Sequence, residues 1–211
     1  MGIKAVLWDI DGTLIDSEPV HLQALLAVCR RFDVDISDLP DETFIGVDLN
    51  GVWEALKGRF PENLGRDAWK TWIDDCYVHQ AGTLRVMPGA IDTIQSLDGL
   101  GFRQAAVSNS GRMVVDANLE LLCLDRIFEF SISLDDVSEA KPSPEPYLQA
   151  LTKMDIAPSQ GLAVEDSASG AISAQAAGLT LVAYNNPGLP ADMWIDDLSE
   201  LKVHLSQHRV N

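Results

Sequence analysis

Short apolar runs alternating with stretches of helical periodicity constrain this chain more than any other feature. Residues 3–8 form a branched apolar run ending at Asp9, which predicts a buried strand. From Met87-Pro88-Gly89 onward the alternation is regular. Ile91, Ile94 and Leu97 mark a helix before a strand at 104–107, and a helix over 112–122 precedes a strand at 130–133. A helix after Pro144, with Tyr147, Leu148 and Leu151, precedes a strand at 162–164; a helix over 168–177, closed by Gly178, precedes a strand at 179–183. This alternation predicts an α/β chain with a doubly wound parallel sheet. Residues 17–85 interrupt it. They are helical in texture, with Leu22, Leu25, Leu26 and Cys29 on one predicted face, and they carry Trp53, Trp69 and Trp72 between glycine and proline turn signals. The expected organisation is a core of residues 1–16 and 86–211 with an all-helical domain inserted at 17–85.

In an open parallel sheet the ligand lies outside the carboxyl ends of the strands. The residues just past each predicted strand are therefore informative. Asp9-Ile10-Asp11-Gly12-Thr13-Leu14 succeeds the first, Ser108-Asn109-Ser110 the second, Lys141-Pro142 the third and Glu165-Asp166-Ser167 the fourth. Four carboxylates gathered in one crevice repel one another unless a cation sits among them. An all-oxygen donor set without a nearby Cys or His pair points to Mg2+. Mg2+ in turn accompanies phosphate chemistry, because it neutralises charge on phosphoryl oxygens. Lys141 and Ser108 add donors for the same oxygens, and the backbone N–H groups around Asp11 and Gly12 suit an anion-binding concavity.

Taken in order, Asp9-x-Asp11-Gly12-Thr13-Leu14-x-Asp16-Ser17, Ser108-Asn109, Lys141-Pro142 and Glu165-Asp166-Ser167 with Gly170 resemble the four motifs of the haloacid dehalogenase superfamily of hydrolases. The resemblance spans nearly the whole chain. It implies a Rossmann-like core and, at 17–85, the small helical (C1) cap of phosphoglycolate phosphatase-like and β-phosphoglucomutase-like members. Carried over residue by residue, it implies Asp9 as nucleophile and Asp11 as general acid and base. It implies Mg2+ held by Asp9, the Asp11 backbone carbonyl, Asp166 and Glu165. Lys141 would offset charge between Asp9 and the phosphoryl group, with Ser108 and Asn109 on the phosphoryl oxygens. Asp11 disfavours carbon–halogen cleavage, since dehalogenases of this superfamily lack a second aspartate there. His21 matches a cap-hinge histidine of the mutases and is expected to contact substrate. The segment Gly46-Val47-Asp48-Leu49-Asn50, however, lacks the arginine with which such mutases grip a second phosphate. Residues 17–32 also contain no lysine for a phosphonatase-type Schiff base. The resemblance thus implies a phosphatase of a small phosphorylated metabolite. A β-phosphoglucomutase-like phosphomutase and a non-enzymatic phospho-ligand binding module stand as alternatives.

Composition narrows the partners. With 15 Lys and Arg against 32 Asp and Glu, the formal charge is -17, which argues against nucleic acid and against anionic membrane surfaces. No window approaches ~18 uninterrupted apolar residues, so no membrane span is expected. Cys29, Cys76 and Cys123 are far apart and odd in number, which suits free thiols in the cytoplasm. A monomer is the default expectation. The three tryptophans of 17–85 are expected in a core, and His204 and His208 lack a third metal ligand nearby. Asp192, Asp196, Asp197 and Glu200 read as solvated surface, and Asp135-Asp136 as a bracket for the loop before Lys141.

Overall fold

A computed structural model describes residues 2–40, 43–44, 49–124 and 126–207. The chain forms two compact units: residues up to 16 together with those from 85 onward, and Ser17–Leu84 between them.

The first unit is built on six parallel strands: β1 (Ala5–Trp8), β4 (Arg103–Val107), β5 (Phe128–Ile132), β6 (Gly161–Glu165), β7 (Thr180–Tyr184) and β8 (Met193–Ile195). They lie in the order β5-β4-β1-β6-β7-β8. β1 is central, with Trp8 level with Ala106 of β4 and with Val164 of β6. Every residue of β1 is buried, as crossover helices require of a strand covered on both faces. Those helices are α4 (Ala90–Gly99), α5 (Arg112–Leu122), α6 (Glu145–Met154), α7 (Ala168–Ala176) and α8 (Ser199–Gln207). The core joins Leu7, Val107, Ile132, Tyr147, Leu151, Ala163, Ala171 and Leu181. Gly178 closes α7 as the sequence predicts. Its φ is +80°, its N–H donates to Gln175, and Leu179 N–H donates to Ala174.

Three features depart from the sequence expectation. A short antiparallel pair, β2 (Ile15–Asp16) with β3 (Arg85–Val86), places Arg85 in a strand of the first unit, not in the helical segment. β8 extends the sheet beyond the last predicted strand. Both escape periodicity because two or three residues hold no repeat. The acidic cluster near β8 is exposed but not merely solvated. Asp192 accepts from Leu181 N–H, Asp197 from Ser199 N–H, and Glu200 from the N–H groups of Asp196 and Asp197. The bond to Asp192 ties the segment before β8 to β7, and the other three shape the turn entering α8.

The second unit holds α1 (Glu18–Arg31), α2 (Leu49–Leu56) and α3 (Arg66–His79), and no strand among its described residues. α1 buries Val20, Ala24, Leu25, Val28 and Cys29, so its inner face is rotated from the expected one and leaves Leu22 and Leu26 only half-buried. The expected tryptophan core is present in Trp69, which is buried with its ring 5.3 Å from that of Trp53; Phe60 lies 6.0 Å from Trp53. Trp72 is half-buried beneath the Arg31 guanidinium, 3.7 Å from its ring centre.

Candidate active site

β1, β4 and β6 are neighbours, so their carboxyl ends deliver Asp9, Ser108, Glu165 and Asp166 side by side. Lys141 comes from the loop leading into α6 and is buried among them. Its ammonium donates to Asp9 Oδ1, Glu165 Oε1 and the Val107 carbonyl, each at 2.7 Å. A lysine has three donors, and all three are used. The side-chain amide of Asn109 sets the loop in place: Oδ1 accepts from Lys141 N–H at 2.9 Å, and Nδ2 donates to the Lys141 carbonyl at 3.0 Å. The Asn109 side chain thus positions the Lys141 backbone through both ends of its amide.

The acidic side of the site is crowded. Oxygens of Asp9, Glu165 and Asp166 lie within 4.8 Å of one another. Burial pushes the Asp9 carboxyl well above its usual range; Lys141 opposes the shift, and Glu165, Asp166 and Asp11 reinforce it. Burial, then Glu165, raises Asp166 to about 7. Lys141 is raised as well: burial would lower it, but Asp9 and Glu165 hold it above the usual lysine range, so it keeps its charge. Asp9 Oδ2 is buried and has no partner. A buried oxygen without a partner beside two further carboxylates is the arrangement a cation completes. With oxygen donors only, the set fits a hard metal ion.

Backbone geometry brings these groups close. Gly12 has φ +84°, and a Cβ there would collide with the Asp166 carboxylate. A Cβ on Gly170, in the first turn of α7, would likewise collide with the carboxylate of Glu165. Ser167 caps α7 by accepting from Gly170 N–H at 3.1 Å. Thr13 Oγ1 donates to Asp166 Oδ1 at 3.3 Å, and Asn186 Nδ2 to the Asp166 carbonyl at 2.8 Å.

A family model for haloacid dehalogenase-like hydrolases matches residues 6–184. The chain belongs to that family. Among relatives of this hydrolase, the pyrophosphatase PpaX of Anoxybacillus flavithermus is 30% identical over 179 residues, covering 84% of this chain and 81% of the relative. The protein CbbY of Rhodobacter capsulatus is 30% identical over 210 residues, covering 86% and 85%. A solved structure of CbbY from Rhodobacter sphaeroides in complex with phosphate superposes with a TM-score of 0.81 at 25% identity, covering 94% of this chain and 96% of that one. A β-phosphoglucomutase-like protein from Thermotoga maritima, at 21% identity and a TM-score of 0.75, shares the fold.

The haloacid dehalogenase-like core thus gathers Asp9, Asp11, Gly12, Ser108, Asn109, Lys141, Glu165 and Asp166 within one unit. His21 belongs to the helical unit, where its ring lies 4.4 Å from that of Tyr77. Residues 46–48 and His208 lie outside the described residues. Asp135 and Asp136 bracket the loop as expected. Asp135 accepts from Arg112 N–H, while Asp136 accepts from Ser133 and pairs with the Arg112 guanidinium. Sequence reasoning missed three side chains. Tyr147 donates its hydroxyl to Glu165 Oε1, and Ser110 and Asn118 both donate to Asp11. Ser110 was visible as the neighbour of a strand-end serine. Tyr147 passes for one more apolar residue on a helix face, and Asn118 differs from the apolar residues around it only in being polar.

Proposed function

We propose that this hydrolase is a Mg2+-dependent phosphatase that cleaves a small phosphomonoester through an aspartyl-phosphate. The observation that carries this reading is the buried Asp9: one oxygen is held by Lys141, and the other has no partner. A carboxylate oxygen of Asp9 attacks phosphorus in line. The bond from phosphorus to the ester oxygen breaks, and Asp11 delivers a proton to that oxygen. Water then attacks the aspartyl-phosphate, Asp11 takes its proton, and the bond from Asp9 to phosphorus breaks to release phosphate. Lys141 limits repulsion between Asp9 and the phosphoryl group. Asn109, with one Nδ2 hydrogen beyond its bond to the Lys141 carbonyl, and Ser108, whose hydroxyl donates to Asp11 and would turn on binding, serve the phosphoryl oxygens, while Gly12 N–H is committed to the Ile15 carbonyl at 2.8 Å. Asp9, Asp166, the Asp11 carbonyl and Glu165 would hold Mg2+, which neutralises phosphoryl charge when bound. Glu165 is the least available of these, because Oε1 already accepts from Lys141 and Tyr147.

The names of relatives point to small phosphorylated substrates: a pyrophosphatase, and a CbbY structure containing xylulose-1,5-bisphosphate at 26% identity. We assign substrate choice to the helical segment, acting as a cap. Three free cysteines, and the absence among the described residues of a helix able to cross a membrane, support a cytoplasmic setting. The test is a phosphate-release screen with Mg2+ over sugar phosphates, phosphoglycolate, pyrophosphate, nucleotides and glycerol phosphates. At least one should be turned over. Silence across the panel would contradict the reading, and sugar-phosphate isomerisation with little free phosphate would replace it with a mutase.

A further inference from the structure

We propose that Asn118 is a positioning residue that aims the carboxylate of Asp11, a role that rests on Asp11 being the acid and base of the phosphatase reaction. α5 buries Val114, Val115, Asn118 and Leu122. Asn118 is wholly buried, on a face whose other members are aliphatic. An amide buried there is costly unless bonded, so its presence asks for a partner. Its Nδ2 donates to Asp11 Oδ1 at 3.2 Å, a bond linking residues 107 apart in sequence.

The other oxygen of Asp11 is held separately. Oδ2 accepts from Ser108 Oγ at 3.0 Å and from Ser110 Oγ at 2.8 Å, and Ser110 N–H donates to Ser108 Oγ at 2.9 Å. The two serines hold one oxygen of the carboxylate, and Asn118 holds the other. The two holds also differ chemically. An amide N–H only donates, whereas a hydroxyl both donates and accepts. Oδ1 is therefore kept as an acceptor, and Oδ2, among hydroxyls, is the oxygen suited to pass a proton. Asp11 is only half-buried, so packing alone does not fix the plane of its carboxylate.

An aiming role predicts an effect that depends on the leaving group. An alkoxide needs the proton that Asp11 delivers, whereas para-nitrophenolate leaves readily without it. The experiment compares kcat/KM of wild type, Asn118→Leu and Asp11→Asn on an alkyl phosphate from the screen and on para-nitrophenyl phosphate, with melting temperatures alongside. Asn118→Ser, too short to reach Asp11, is the second variant should leucine prevent folding. The Asn118 variants should lose about 10–100-fold on the alkyl ester and stay within about threefold on para-nitrophenyl phosphate, in the same pattern as Asp11→Asn. Equal losses on both esters, whether from misfolding or not, or no loss on either, would overturn the proposal while leaving the phosphatase reading intact. A wild type inactive on both esters would overturn that reading and the proposal with it.

Discussion

Lys141 and the three carboxylates around it decide how this site responds to pH. The ammonium is buried, offsets Asp9 and Glu165, and leaves Asp166 raised to about 7. A buried ion pair is weak grounds for stability, because desolvation opposes the attraction. The sign of the Asp166 effect is set by linkage. Its carboxyl titrates near ~4 when unfolded and near 7 when folded, so the stability it contributes is complete below ~4 and is lost as pH rises through 7. Asp9, also raised, acts in the same direction. A metal ion binds the ionised carboxylates and should restore what their ionisation removes. The melting temperature without divalent ions should therefore fall between about pH 5 and 8, and the stabilisation by added Mg2+ should be larger at pH 8. A Mg2+ effect that is equal or larger at pH 5 would contradict the carboxylate site. At this scale the four motif segments are legible in the sequence because each lies just past an apolar run whose end must face the crevice. Asn118 and Tyr147 are not, since a single polar group on a buried helix face acquires meaning only from what lies opposite.

The approach of one element to another depends on small residues. α7 begins where Glu165 ends β6, and Gly170 leaves room for that carboxylate. By helix propensity alone, Gly170→Ala should stabilise by about 0.5–1 kcal/mol. The added methyl meets a carboxylate that cannot swing away, because Lys141 and Tyr147 hold Oε1. Overpacking of this kind costs about 1–3 kcal/mol, so the net effect should be destabilising. Urea denaturation of Gly170→Ala measures it, and a midpoint equal to or above wild type would show that Glu165 is not held in place. In the helical unit, Trp69 is buried against Trp53 and Phe60. Trp69→Ala should cost about 3–5 kcal/mol of stability in thermal unfolding; a loss below about 1 kcal/mol would contradict its core role. Elements with several periodic residues are legible in advance, to within one or two residues at their ends. β2, β3 and β8 are too short for any pattern to mark them.

Across the whole chain, charge works against the proposed substrate. Of the net -17, residues 17–85 carry -5 and the remainder, which holds the site, carries -12. A phosphate ester is thus repelled at long range, and its binding must come from the metal, Lys141 and local donors. Phosphate affinity measured calorimetrically should drop at least about tenfold in excess chelator; an unchanged affinity would mean that the carboxylates do not recruit an ion for binding. The total charge does not locate the site, which becomes legible only when strand order brings distant segments together. The central claim is that Asp9 performs the chemistry, and the most direct measurement is the phosphatase rate of Asp9→Asn with Mg2+ on the best substrate of the screen. The expected result is a folded protein with turnover reduced at least roughly a thousandfold. A folded variant retaining about a tenth of the wild-type rate would contradict the assignment of Asp9 as nucleophile.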